Sequence, residues 1–186
     1  MGTPTGGAAW SLLTQQAWAG DDGGTKVWWK VAGGSEPASY GFTQSSSADG
    51  VVAIAAIHTA ATSAPVFASS SSSTSATSIP TPSVTPTAAD DLELRWAAMS
   101  IAGEELVTWT PPATYTERVD TQSREFTSGC LATKQLASGS ATGIQNFTLS
   151  LSTSNHMGIT VAVTSTFVTV PRPIVIGQAV QRAATW

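Results

Sequence analysis

Asp91-Leu-Glu-Leu-Arg-Trp-Ala-Ala-Met-Ser-Ile101 decides the fold class. Its first half alternates, so Leu92, Leu94 and Trp96 fall on one face of an extended chain, as the two-residue period of a strand requires. Toward the C-terminus the same signal returns in Leu106-Val-Thr-Trp109, in residues 115–119, 126–136 and 144–151, and in Met157-Gly-Ile-Thr-Val-Ala-Val163. Toward the N-terminus it returns in Val51-Val-Ala-Ile-Ala-Ala-Ile57, which is apolar on both faces and reads as a central strand. Tyr40-Gly-Phe-Thr43, Thr25-Lys-Val-Trp-Trp-Lys-Val-Ala32 and residues 10–18 precede it. In the second of these, Val27, Trp29 and Val31 share a face, and Lys26, Trp28 and Lys30 take the other, with Trp28 partly exposed. Gly20-Asp-Asp-Gly-Gly24, Gly33-Gly-Ser-Glu-Pro37 and Gly103-Glu-Glu supply turns. Short strands at this spacing predict an all-β, antiparallel sandwich or barrel.

Composition narrows the function. Of 186 residues only 11% are charged, less than half the roughly 25% of an average soluble domain. Hydrophobic residues make up 41% and include seven tryptophans to bury, which excludes general disorder. The isoelectric point near 4.9 and eight scattered basic residues argue against a nucleic-acid partner. No apolar run approaches the ~20 residues of a membrane span, and the N-terminus lacks the basic start and apolar stretch of a signal peptide. A single cysteine, Cys130, excludes an internal disulfide framework and a multi-cysteine zinc site.

Residues 61–87 change character: Ser69 to Ser73 is a serine run, and Pro65, Pro80, Pro82 and Pro86 punctuate the segment. Val66, Phe67, Ile79 and Val84 recur as anchors, which favours a surface crossover inside one sandwich over a flexible interdomain linker. On either side the chain superposes on itself at an offset of 105 residues. Trp10 meets Tyr115, Gly34 meets Gly139, Phe42 meets Phe147 and Ile54 meets Ile159. The expected architecture is a jelly-roll-like sandwich over residues 1–166. Its two pseudo-repeated Greek-key halves are 4–60 and 88–165, joined by the crossover 61–87. The strands before Tyr115 have no counterpart before Trp10. A neighbouring chain, a longer polypeptide or the folded-back C-terminal tail would each complete the first half.

Catalytic groups are sparse. His58 and His156 occupy unrelated positions in the two halves; with Asp49 or Asp120 they could form a metal site, but surface imidazoles are the plainer reading. Cys130 lies in an apolar strand and reads as a buried, inert thiol. Asp21-Asp22, Asp90-Asp91 and Glu104-Glu105 are neighbours in turns, not pairs facing each other across a cleft. Asp21-Asp22 beside two glycines could hold calcium through loop oxygens but lacks the EF-hand spacing. No phosphate loop, dinucleotide fingerprint or nucleophile elbow is present. The expectation is a protein that is not an enzyme, with no cofactor and no bound metal. Trp18, Trp28 and Trp109 are candidate platforms for sugar rings, with core packing as the competing role for each.

An ordered series of motifs adds to this reading: Trp10-Ser-Leu-Leu after a Pro/Gly-rich start, Val27-Trp-Trp-Lys-Val-Ala32, Glu36-Pro-Ala-Ser-Tyr-Gly-Phe-Thr43, Val52-Ala-Ile-Ala-Ala-Ile57 and Trp109-Thr-Pro-Pro-Ala-Thr-Tyr-Thr-Glu-Arg118. Over residues 4–165 the series resembles β-sandwich modules of minor tail and other virion-surface proteins of phages infecting actinobacteria. That pattern has Pro-x-Gly-Trp at its first aromatic, whereas here Gly6-Gly-Ala-Ala precedes Trp10. The resemblance implies a non-enzymatic structural or adhesive role on a virion and no catalytic residues. It implies a tail or tail-tip component, with capsid decoration and a carbohydrate-binding adhesin as alternatives. Expected partners are other virion proteins, copies of itself and a host-surface glycan, without nucleic acid or membrane insertion.

Beyond residue 166, Val170-Pro-Arg-Pro173 breaks regular structure and Ile174-Val-Ile-Gly-Gln-Ala-Val180 follows. Residues 167–186 are expected to form an extended assembly arm. Pro171, Arg172, Pro173, Ile174, Ile176 and Trp186 would engage a neighbouring subunit, or else dock back on their own sheet.

Overall fold

A computed structural model describes residues 2–19, 23–44, 50–100, 105–123, 127–153 and 155–166. The arm residues Pro171 to Trp186 lie outside them, as do Asp21, Asp22, Asp49 and Glu104. The described chain is all-β with antiparallel sheets and no helix, as a β-sandwich requires. Its strands are β1 (Ser11–Ala17), β2 (Gly24–Trp29), β3 (Val66–Ser72), β4 (Ala76–Thr81) and β5 (Leu92–Ser100), followed by β6 (Trp109–Thr110), β7 (Thr116–Gln122), β8 (Thr127–Gln135), β9 (Gln145–Thr153) and β10 (His156–Val163).

Five strands form the larger sheet in the order β3-β10-β5-β8-β7, and three form the smaller in the order β4-β9-β6. Alternation along β5 and β8 turns Ala97, Met99, Cys130 and Ala132 toward the smaller sheet. There they meet Ile79, Trp109, Phe147 and Leu149 in one core. Trp109 and Phe147 pack edge to face with centroids 6.1 Å apart. The indole N–H of Trp109 donates to Ser128 Oγ at 2.7 Å, so its polar edge is not stranded. The opposite face of the larger sheet carries Ala98, Met157 and Ile159, against which Trp18, Val27, Trp96 and Val161 pack. The β1–β2 hairpin therefore covers part of that outer face. It is held by Gln16, whose side-chain amide donates to Ser71 Oγ and accepts from Ser69 Oγ, both at 3.0 Å.

Three expectations change. Residues 61–87 are not a plain crossover, because β3 and β4 lie within them and the serine run belongs to β3. Serine suits this strand: Ser69 and Ser71 bond Gln16 on one face, and Ser70 on the other lies close to the β4 backbone at Pro80. Pro80 is accommodated because β4 is an edge strand.

Second, residues 51–57 and 40–43 form no strand; only an isolated bridge joins Gly41 to Thr5. The apolar run 51–57 is half-buried along most of its length but joins no ladder among the described residues. Third, the 105-residue offset therefore sets Phe42 and Ile54, outside strands, against Phe147 in β9 and Ile159 in β10. All eight strands of the two packed sheets come from residues 66–163, so the first 60 residues do not form a matching four-strand half.

Candidate functional site

The buried charged side chains Asp91, Glu93 and Arg95 are engaged with other side chains and with loop backbone. Arg95 and Glu93 sit on the inner face of β5, fully buried, with Nη2 donating to Glu93 Oε1 at 2.6 Å. Every nitrogen of the guanidinium donates. Nε reaches the Tyr115 hydroxyl at 3.1 Å, Nη1 the Thr81 carbonyl at 2.9 Å, and Nη2 also Thr142 Oγ1 and the Gly143 carbonyl at 2.9 Å. Tyr115 passes its own proton toward Glu93 Oε2. Burial and that bond to a carboxylate push the tyrosine up to about 12, against the opposing pull of Arg95. One side chain thus ties the end of β4, the turn before β7 and the loop before β9 to the centre of the larger sheet. Beside it, buried Asp91 accepts from the backbone N–H groups of Thr87, Ala88 and Ser165, at 2.9, 3.1 and 3.0 Å.

The flank between the two sheets is closed by side chains. Gln122 of β7 accepts the Val107 N–H at 3.0 Å and returns its amide to the Glu105 carbonyl at 2.6 Å. Asp120, two residues earlier, accepts the Trp109 N–H. Burial raises the Asp120 pKa, and the Trp109 bond offsets part of that rise. β6 is only two residues long, although its strand signal began at Leu106. Thr108 donates to Ser150 Oγ at 3.0 Å and not to a ladder carbonyl, Val107 and Trp109 donate to side chains of β7, and Leu106 is left 84% exposed.

At the N-terminal end, motifs that are separate in the sequence converge on Lys30. Its ammonium pairs with Glu36 and stands 4.9 Å from the Trp10 ring centroid and 4.6 Å from that of Tyr40. Glu36 also accepts from the Gly33 N–H at 2.6 Å and the Tyr40 hydroxyl at 2.8 Å. Lys30, Gly33 and Tyr40, in that order of effect, lower its pKa from 4.5 to about 2. Burial alone would lower the Lys30 pKa, but Glu36 and Tyr40 outweigh it and raise it. Trp10 packs edge-on against Tyr40 and Phe42, with centroids 5.4 and 6.3 Å away. The alternation places Lys26, Trp28 and Lys30 on one face with Trp28 partly exposed; Lys30 lies just past the end of β2 and is enclosed, and the Trp28 indole N–H is buried without a partner.

No family model matches this chain, and searches of curated proteins and of solved structures return no match.

Of the three candidate sugar platforms, Trp109 is a core residue whose ring cannot receive a ligand. Trp18 is half-buried, packs beside Met157 and Ile159, and lies against Gly23. Trp28 is half-buried with its indole nitrogen enclosed. The histidines lie apart in kind: His58 is exposed, whereas His156 is 4% exposed at the start of β10, which corrects its reading as a surface imidazole. Burial lowers the His156 pKa, and its Nδ1 has no hydrogen-bond partner. Cys130 is fully buried, and burial pushes its thiol well above the ordinary range, with Glu117 and Asp120 adding to the effect. Among the described residues no group of three His, Cys, Asp or Glu is placed to hold a metal ion, and no helix is long and apolar enough to cross a membrane.

Sequence reasoning missed the Glu93–Arg95 pair, although its signal was present. Two opposite charges two residues apart on a strand share a face, and here that face is the inner one.

Proposed function

We propose that this protein is a non-enzymatic virion structural protein of jelly-roll type, a minor tail or tail-tip component that assembles with neighbouring subunits. The observation that carries the reading is the strand order. In an eight-strand jelly roll, two four-strand Greek keys interleave between facing sheets, so strands distant in sequence become neighbours. The adjacency of β3, β10, β5 and β8 opposite β4, β9 and β6 supports that topology. The one departure, β7 beside β8, is bridged back to β6 by Asp120 and to the segment before β6 by Gln122.

A fold of this kind hosts capsid proteins and lectins alike, so the step from fold to virion is an analogy. It draws on the motif series from Trp10 to Arg118. The use of the buried charges supports a role in contact over turnover: Asp91, Glu93, Arg95 and Tyr115 all serve the loops that frame the sheets. Under this reading the protein resides on the virion, its partners are other virion proteins and copies of itself, and capsid decoration is the nearest alternative placement. Electron microscopy of particles carrying a labelled copy tests it. Ordered label at the tail supports the proposal, and purified particles free of the protein would sink it.

A further inference from the structure

A groove of about 330 Å³ lies where the start of β7 meets the start of β5 and the end of β8. Thr114 and Thr116 bring hydroxyls to it and Gln135 an amide, over a floor of buried Leu92 and Thr133; Arg118 and Lys134 supply positive charge, and no lining residue carries a carboxylate. Its size is at the lower end of the ~300–1,000 Å³ of small-molecule sites. In a chain of net charge -4 with eight Lys and Arg in all, two cations on one groove are a concentration of charge.

Arg118 is oriented for a ligand. Its Nε donates to Thr133 Oγ1 at 2.8 Å, which fixes the guanidinium plane, and its two terminal nitrogens have no partner among the described residues. Lys134 holds its ammonium 5.4 Å from the centroid of the Tyr115 ring. A second, independent feature marks the groove. Thr114 has φ 74°, in a turn closed by the Tyr115 N–H to the Pro112 carbonyl at 3.1 Å. That position ordinarily takes glycine, and a β-branched residue there is strained. Thr114 is exposed, so packing returns nothing for the strain; what the strain secures is a hydroxyl at the groove.

We propose that this groove binds a carboxylated saccharide of the uronate class. The free fork of Arg118 matches a carboxylate in two parallel hydrogen bonds. The exposed hydroxyls of Thr114 and Thr116 and the Gln135 amide suit ring hydroxyls. The site is distinct from the tryptophans first considered and is independent of placement on a virion.

Titrating the ¹⁵N-labelled full chain with glucuronate and galacturonate oligomers tests it, with glucose and galactose oligomers and inorganic phosphate as comparisons. Uronates are expected to shift amides of residues 92, 114–118 and 133–135. Arg118→Gln, folded as judged by its melt, is expected to bind about tenfold to a hundredfold more weakly. Thr114→Gly is expected to melt higher than the parent yet bind more weakly, a combination that a merely structural turn would not give. No uronate binding at millimolar concentration, equal binding by Arg118→Gln or Thr114→Gly, equal binding of neutral oligomers, or identical shifts with phosphate would each overturn the proposal.

Discussion

Gly158 lies directly against the backbone of Pro80: a Cβ built on Gly158 would stand 2.2 Å from the Pro80 carbonyl oxygen and 2.8 Å from Thr81 Cα. The contact is between β10 of the larger sheet and β4 of the smaller, so here the two sheets meet backbone to side-chain-free backbone. Neither neighbour is the flexible tip of a side chain, and neither can swing aside.

Gly158→Ala must therefore push β4 off β10 or bend both. The expected cost is about 1–3 kcal/mol or more, as for other overpacked interiors. In a chain of this size that lowers Tm by ~2–4 °C per kcal/mol in a thermal melt. Gly139→Ala is the comparison. Its new Cβ would meet Ala88 no closer than 3.5 Å, an ordinary contact, and the melt should move little.

The Glu93–Arg95 pair is expected to behave as a unit. Arg95→Leu leaves a fully buried carboxylate unpaired and strips the Thr81 and Gly143 carbonyls of their donor. Breaking a buried pair in this way costs about 3–5 kcal/mol. Glu93→Gln with Arg95→Leu removes both charges, so the double variant should lose less than the two single variants together. Chemical denaturation of the four proteins in a double-mutant cycle measures the coupling, expected in the range of about 0.5–3 kcal/mol. Strict additivity would mean that Arg95 acts through the loops alone.

That pair also marks the limit of what the chain reveals before folding. Leu92, Leu94 and Trp96 announce β5, and the strands after it follow equally plain alternation. Glu93 and Arg95 fall on the other face, and burial on both sides of a strand cannot be told from one strand's pattern. The serines of β3 carry little strand preference; they are strand because small side chains fit between Gln16 and the β4 backbone. Conversely, the run at 51–57 has strong preference yet joins no ladder among the described residues. The groove beside Arg118 was invisible for a similar reason, since its lining comes from three segments that only the sheet order brings together.

The Lys30–Glu36 pair gives the N-terminal segment its own response to acid. Glu36 is held at about 2 in the folded chain against 4.5 ordinarily, so its contribution is full above about pH 4.5 and is lost as the pH falls toward 2. Lys30 is shifted upward, so its contribution is full below its ordinary 10.5 and is lost only at higher pH. Between pH 5 and pH 2 the Trp10 indole N–H, which donates to the Gly6 carbonyl at 3.2 Å, should lose its distinct resonance. In Glu36→Gln that loss should no longer follow this pH window. An unchanged Trp10 signal down to pH 2 in the parent would mean that packing with Tyr40 and Phe42 suffices without the charge pair.

His156 should make the two packed sheets sensitive to a milder acidity. It lies at the start of β10, opposite Met99 of β5 and Ser72 of β3, and is nearly sealed from solvent. Burial lowers its pKa, so the folded chain keeps the imidazole neutral at a pH where the unfolded chain already binds a proton. Stability is then highest above the ordinary value of 6.5 and declines as the pH falls through it toward the lowered folded value. Replacement by a neutral residue of similar volume removes the proton uptake. His156→Met should therefore flatten the slope of unfolding free energy between pH 7.5 and pH 5.5, whatever it does to stability at neutral pH. Urea titrations of both proteins at three or four pH values read the slope. Identical slopes would place the titrating group elsewhere.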